Sequence, residues 1–416
     1  MPKRVWLVVV ALVCAVVGIA PVISGSGDPE PRGRAEQAAG DRRADRSVPP
    51  GQTSEGIKGE MVAPTPYGRP LPARVSNARH WTVAPGILYR RWDQTDRRGR
   101  IRAHLLSIAW KRPGVSFDYL SGAHVPDRNT VSRYVVRDHA IAGVNGGFFD
   151  IHDTGAPLGV GVDRQRGFMH APRYTWNNAF YITRGGVPRI GRLELTARVD
   201  QYPQMSITNV NSPRVREAGI GVYGPDWGWT SGYRITDGQT KGIRMVVIRS
   251  GRVIANRTTL NSNKLVDATV LIGRGPGAAQ LRQMRVGSSA TVRWGAGGRP
   301  AVAISGEKTL LRDGKHMALD DRELHPRTAV GIDRDKGRVL LLVVDGRSSR
   351  SRGYTLLEEA RLLRQLGAED AINFDGGGST TMVAPGPRGR RSVVNTPSDG
   401  AQRYVADALG VKYTRP

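Results

Sequence analysis

Asp375 ends an apolar segment, Ala371-Ile372-Asn373-Phe374, and is followed at once by Gly376, Gly377, Gly378, Ser379, Thr380 and Thr381. A carboxylate beside consecutive glycines suits acid–base or nucleophilic chemistry on a ligand that the backbone approaches closely. Three glycines in a row cost conformational entropy, so an ordered fold needs a reason to keep them. Successive N–H groups in such a turn make a concave anion site of the kind that holds phosphate. A plain tight turn is the alternative for the glycines taken alone. The same grammar recurs twice. Ala140-Ile141-Ala142-Gly143-Val144 runs into Asn145, Gly146, Gly147, Phe148, Phe149 and Asp150, and Val339-Leu340-Leu341-Leu342-Val343-Val344 runs into Asp345, Gly346 and Arg347. Asn-Gly and Asp-Gly are strong hairpin signals singly; three such endings in one chain favour a shared site.

Apolar runs of this length, rich in Val and Leu, predict strands buried on both faces, whose ends commonly carry the ligand crevice. Thr130 to His139 reads as a helix with Val131, Tyr134 and Val135 inward. Thr355 with Glu358 forms a capping-box pattern that opens a helix to about Leu366, and Gly367 stops it. That helix would join the Asp345 strand to the Asp375 strand in a βαβ unit, making the two strands parallel and bringing both carboxylates to one sheet edge. Between Val187 and Trp294 short alternating runs predict antiparallel strands, as do Ala103 to Trp110 and Val115 to Leu120. The expectation is an α+β fold: a single large mixed-sheet domain with a βαβ unit near the C-terminus.

Taken together and in this order, the three segments resemble the phosphodiester glycosidase family. His325-Pro326-Arg327-Thr328-Ala329-Val330-Gly331 adds to the likeness, as do Gly353-Tyr354-Thr355-Leu356-Leu357-Glu358-Glu359-Ala360, Val393-Val394-Asn395-Thr396-Pro397-Ser398-Asp399 and Arg403 to Leu409. The resemblance covers roughly His139 to the C-terminus, with Arg184 to Arg299 matching only in style. It implies hydrolysis of the bond between a sugar's anomeric carbon and a phosphodiester. A phosphate leaving group needs charge stabilisation more than a strong acid, while the oxocarbenium-like transition state still needs a carboxylate. On that reading Asp375 is the first choice for general base or nucleophile and Asp345 the second. Arg327 and Arg347 hold the phosphate through their guanidinium forks, helped by the N–H groups of Gly376, Gly377 and Gly378 and by Ser379 and Thr380. Asn145 and Asn373 orient sugar or water, and Asp150 binds sugar hydroxyls. Each has a structural competitor: a turn cap for Asp345, an N-cap for Asp150, a framework role for Arg327. Ser379 lacks the nucleophile-elbow sequence and a His partner. No metal-ligand spacing is present, so no cofactor is expected, with a divalent cation in an Asp-rich loop as the alternative. A phosphodiesterase cutting the P–O bond, or a non-catalytic wall- or exopolysaccharide-binding protein, are the competing functions.

With 62 Lys and Arg against 36 Asp and Glu, the chain carries a formal charge of +26. So basic a surface favours polyanions such as anionic envelope polymers; the arginines are dispersed and no DNA-binding motif is present, so nucleic acid is not the expected main partner. Lys3 and Arg4 precede an apolar run from Val5 to Ala20, a signal-peptide layout with an uncleaved membrane anchor as the alternative. Cys14, the one cysteine, lies inside it, so cleavage would leave no thiol. The expected organisation is a signal or anchor over 1–26, a disordered Pro/Gly/Arg-rich linker over 27–76, N-terminal strands of the catalytic domain over 77–138 and the glycosidase domain over 139–416. The expected location is secreted or extracytoplasmic and membrane-anchored.

Overall fold

Strand follows strand along almost the whole chain, and helices are few. The computed structural model describes residues 58–65 and 71–416, which fall in one compact unit. The predicted signal or anchor, and most of the predicted linker, lie outside the described residues. Three α-helices are present among those described: Val131–Arg137, Pro276–Leu281 and Leu356–Gln365. Strands form sheets of eight, ten and five members, with three two-stranded ribbons besides. The fold is therefore mostly sheet, with helices as covers. The expected α+β domain with one mixed sheet is found as several sheets with few helices.

The eight-stranded sheet positions the carboxylates. At its centre Arg327–Asp333 lies between Arg338–Val344 and Asp370–Asn373 and runs antiparallel to both. The two outer strands therefore point the same way, as the connecting helix predicted, but they are not neighbours: a third strand fills the gap. Val339, Leu341 and Val343 face one core, together with Phe117, Val144 and Leu409 of the five-stranded sheet. Leu340, Leu342 and Val344 face the other, packed against Ala360 and Leu363 of the helix Leu356–Gln365. Burial on both faces explains an apolar run with no alternation, and each such side chain contributes about 1.5–3 kcal/mol relative to exposure. Thr355 and Glu358 close the predicted capping box at 3.0 and 3.2 Å. Gly331 lets the helix end approach, since a Cβ there would stand 2.9 Å from that of Ala368.

The five-stranded sheet holds Ala142–Asn145 between Met382–Pro385 and Asp407–Tyr413. Its far side is covered by the helix Val131–Arg137, capped by Thr130, with Val131, Tyr134 and Val135 inward as predicted. The strands ahead of residue 139 join these same sheets: Gly99–Ala109 pairs with Arg338–Val344, and Val115–Ser121 with Asp407–Tyr413. The ten-stranded sheet is formed largely by residues 161–274, antiparallel except where Ile207–Val210 and Ile220–Tyr223 run parallel.

Residues 58–65, expected within a disordered linker, are anchored instead. Glu60–Met61 pairs with Glu323–Leu324, Gly59 N donates to Glu323 Oε1 at 2.6 Å, and Thr65 gives Asp321 Oδ2 two hydrogen bonds of 2.6 Å. Composition alone could not show this, because the partners are acceptors some 260 residues away.

Candidate active site

The three motif ends converge at one place. Asp345 follows the strand Arg338–Val344, Asp375 comes after Asp370–Asn373 with Phe374 between, and Arg327 opens the antiparallel strand between them, opposite Val344. Asn145, at the end of its strand in the five-stranded sheet, closes the junction. Its Nδ2 donates to the Asp375 carbonyl at 2.7 Å, and Asp375 N donates to the Gly146 carbonyl at 3.0 Å. Two sheets thus clamp the Asp375 backbone from both sides, with its side chain 1 % exposed.

The amides expected to orient sugar or water are spent on the framework. Asn145 Oδ1 accepts from Thr328 Oγ1 at 2.8 Å and from Thr381 N at 3.0 Å. Asn373 Oδ1 accepts from Lys308 N at 2.6 Å, and its Nδ2 donates to Phe374 O at 3.3 Å. Both side chains are thus engaged within the protein.

The glycines form a built corner in which the Gly377 N–H is already taken. Gly377 has φ +56 and opens a single 3₁₀ turn, Gly377–Ser379. Gly377 N donates to Pro326 O, Ser379 N to Gly376 O and Thr380 N to Gly377 O. The expected anion cradle therefore does not run through all the glycine N–H groups. Gly378 is needed for room: a Cβ would fall 2.0 Å from Asp399 Oδ2 and 2.2 Å from Arg403 Nη2. Asp399 and Arg403, themselves paired at 2.8 Å, lie over the corner and were missed as site residues, although their i, i+4 spacing is visible in the sequence. Beyond the turn, Ser379 Oγ, Thr380 Oγ1 and Thr381 Oγ1 are buried, and none finds a hydrogen-bond partner among the described residues. Unmatched buried hydroxyls are uncommon, and a polar ligand is one cause.

Asp345 sits in a relay. Tyr89 OH and His104 Nδ1 are 2.7 Å apart, and His104 Nε2 lies 3.4 Å from Asp345 Oδ2. With the phenol donating to Nδ1, the Nε2 proton points at the carboxylate. Burial pushes the Tyr89 phenol well above its ordinary range, keeping it a donor. Asp345 Oδ1 accepts from Thr396 N at 2.9 Å. Both carboxylate oxygens thus meet protein donors, and the group holds the Asn395–Pro397 loop over the site.

The arginines are mounted differently. Arg327 is 4 % exposed and donates from Nε to Tyr354 O at 2.9 Å and from Nη2 to Glu323 O at 3.2 Å. Arg347, in the left-handed region at φ +55, approaches His325 Nδ1 at 3.0 Å, while His325 Nε2 meets Glu323 Oε1 at 3.0 Å. His325 therefore links a carboxylate to a guanidinium. Asp150 stands apart from these groups: its Oδ2 accepts from Thr154 N and Oγ1 at 3.0 and 2.8 Å, a turn cap.

A second buried cluster supports the Asn145 side. Asp407 Oδ1 accepts from Gly147 N at 2.8 Å and Oδ2 from Tyr119 OH at 3.2 Å; Tyr119 OH lies 2.7 Å from His170 Nε2. Burial raises the Asp407 carboxyl to about 6 and lowers His170 to about 4. Nothing local in the sequence marks this trio, whose members are 51 and 288 positions apart. Among the described residues no three acidic, His or Cys side chains gather as a metal site, and no helix is long and apolar enough to cross a membrane.

Residues 230–412 match the family model described as phosphodiester glycosidase. Over that stretch the chain carries a phosphodiester glycosidase domain. The matched range holds Arg327, Asp345, Arg347 and the Asp375 corner; Asn145 and Asp150 lie before it. A stretch of 76 residues is 45 % identical to mouse N-acetylglucosamine-1-phosphodiester alpha-N-acetylglucosaminidase, covering 18 % of this chain and 13 % of that protein. Over 89 residues it is 38 % identical to the prophage-derived uncharacterized protein YomE of Bacillus subtilis, covering 21 % of this chain and again 13 % of the other. The chain thus matches only about an eighth of the length of these curated relatives. A hypothetical protein from Synechocystis shares the fold with a TM-score of 0.67 at 21 % identity, covering 82 % of this chain and 64 % of that one. A protein from Burkholderia pseudomallei, described as exported, does so at 0.66 and 20 % identity, covering 86 % of this chain and all of the other.

Proposed function

We propose that this phosphodiester glycosidase hydrolyses sugar-1-phosphodiesters between the anomeric carbon and the phosphate oxygen. Water adds to the anomeric carbon, the C–O bond to phosphate breaks with its electron pair, and free sugar and a phosphomonoester leave. Asp375 supplies the carboxylate that the oxocarbenium-like transition state requires. Arg327 and Arg347 provide positive charge for the phosphate, and Ser379, Thr380 and Thr381 meet polar groups of the bound ligand. The observation that carries this reading is the buried row of unmatched hydroxyls directly behind the Asp375 corner, inside the residues that match the family. Asp345, engaged by His104 and by Thr396 N, acts as a positioning residue.

The substrate class is a phosphate-bearing glycan of a cell envelope or an exopolysaccharide, met outside the cytoplasm. Supporting this are the +26 charge, the apolar N-terminal run behind two basic residues, and the exported description of a protein that shares the fold. The test is a screen of the purified protein against N-acetylglucosamine-1-phosphodiesters and wall glycopolymers. Equimolar release of reducing sugar and phosphomonoester is expected; an absence of both across the set would contradict the reading.

A further inference from the structure

The loop Asn145–Asp150 has Asp375 at one end and a separate cleft at the other. Phe149 and Asp150 border a space of about 550 Å³ that Tyr174, Trp176 and Asn209 also line. Gly146, which accepts the Asp375 N–H, is three residues from Phe149, at most about 11 Å of extended chain. The cleft therefore lies a short glycan's reach from the catalytic corner.

Its walls have the character of a carbohydrate site. Tyr174 is 49 % exposed, an aromatic face turned to solvent, with the Arg216 guanidinium 4.6 Å from its ring centroid. Trp176 is held at φ +57, a conformation bulky residues rarely adopt, and packs on Phe148 at 5.3 Å. Backbone strain of this kind persists where the surroundings enforce it, often at ligand sites. Asn209 is 2 % exposed, and its Oδ1 accepts from Thr208 Oγ1 at 3.1 Å. The neighbouring Tyr223 hydroxyl donates to the Ser212 carbonyl at 3.0 Å, and its oxygen faces the Asn209 amide. The arginines around the cleft are otherwise engaged: Arg173 with the Ile207 carbonyl at 2.6 Å, Arg214 with Asp237 at 3.1 Å, and Arg216 over Tyr174. Exposed aromatic faces suit a sugar ring better than a bare phosphate.

We infer that this cleft is a subsite for a glycosyl unit of the substrate beyond the one whose bond is cut. The inference rests on the proposed glycosidase function and extends it from a single sugar to a chain. Two substrates test it: a minimal sugar-1-phosphate methyl diester, and the same diester lengthened by further sugar units. For Tyr174→Ala the ratio of kcat/KM, longer over minimal, should fall about tenfold relative to wild type, through KM. An unchanged ratio would overturn the subsite while leaving the glycosidase reading intact. If wild type cleaves neither substrate, the glycosidase reading is the one at fault, and binding decides the subsite. Saturable quenching of tryptophan fluorescence by a neutral oligosaccharide, weakened in Tyr174→Ala and lost in Trp176→Phe, supports it. No saturable binding to the wild-type protein overturns it.

Discussion

Asp375 owes its placement to main-chain bonds on both sides, Asn145 Nδ2 to its carbonyl and its own N–H to Gly146 O. The Asp375→Asn substitution leaves both in place and removes only the charge. The expected result is a folded variant with its thermal midpoint nearly unchanged and kcat lower by about a hundredfold or more, the range for loss of a positioned base. Asn145→Ala should behave differently. It strands Thr328 Oγ1 and Thr381 N as buried donors and frees the Asp375 carbonyl, so stability should drop by about 1–3 kcal/mol along with activity. Denaturant unfolding beside steady-state kinetics separates the two. Sequence marked both residues but could not divide them into chemistry and framework. That division depends on which atoms of an amide are already taken, and the takers, Thr328 and Thr381, come from other strands.

Single elements were the most legible part of the chain. The Thr355 capping box, the inward Val131, Tyr134 and Val135, and the doubly buried Val339–Val344 strand follow from local pattern and were found where expected. Pairing was not legible: the strand between the two parallel ones, and the partition into separate sheets, depend on long-range register. The strand that begins at Asp407 shows what such register brings. Its carboxyl, raised by burial to about 6 from an ordinary 3.8, pins the Gly146–Gly147 loop through Gly147 N. The native state holds the proton between those two values while the unfolded chain has released it. Stability should therefore decline as pH rises from about 4 to 6, by at most about 3 kcal/mol from this group. Asp407→Asn can keep the bonds to Gly147 and Tyr119 without titrating. Unfolding free energies at pH 4, 5 and 6 should fall in wild type relative to the variant, and parallel profiles would count against a titrating Asp407.

At the scale of the molecule, segments far apart in sequence are tied by a few buried charges. Asp321 accepts from Thr65 N and Oγ1, from Arg98 Nη1 at 2.8 Å and from Thr355 Oγ1 at 2.8 Å, joining residues 58–65 to the core and to the capped helix. Burial alone would raise its carboxyl; the bonds from Arg98 and Thr65 outweigh it and hold the group at about 2. That stability is present above about pH 4 and is lost as pH falls towards 2. Asp321→Ala removes one of the two carboxylates that meet the buried Arg98 guanidinium, Glu358 Oε1 at 3.0 Å being the other, and a loss of about 1–3 kcal/mol at pH 7 is expected in denaturant unfolding, shrinking towards pH 2. A loss below 1 kcal/mol would mean the segment contributes little to the fold. The residues proposed to carry the reaction and the residues that hold the molecule together are thus largely distinct, and the central claim of the proposal concerns the former: the bond cut is the one at the anomeric carbon. Hydrolysis of a sugar-1-phosphodiester in ¹⁸O-water, read by mass spectrometry of both products, tests it most directly. The heavy oxygen should appear in the released sugar and not in the phosphomonoester; label in the phosphate would place the attack at phosphorus and contradict the account.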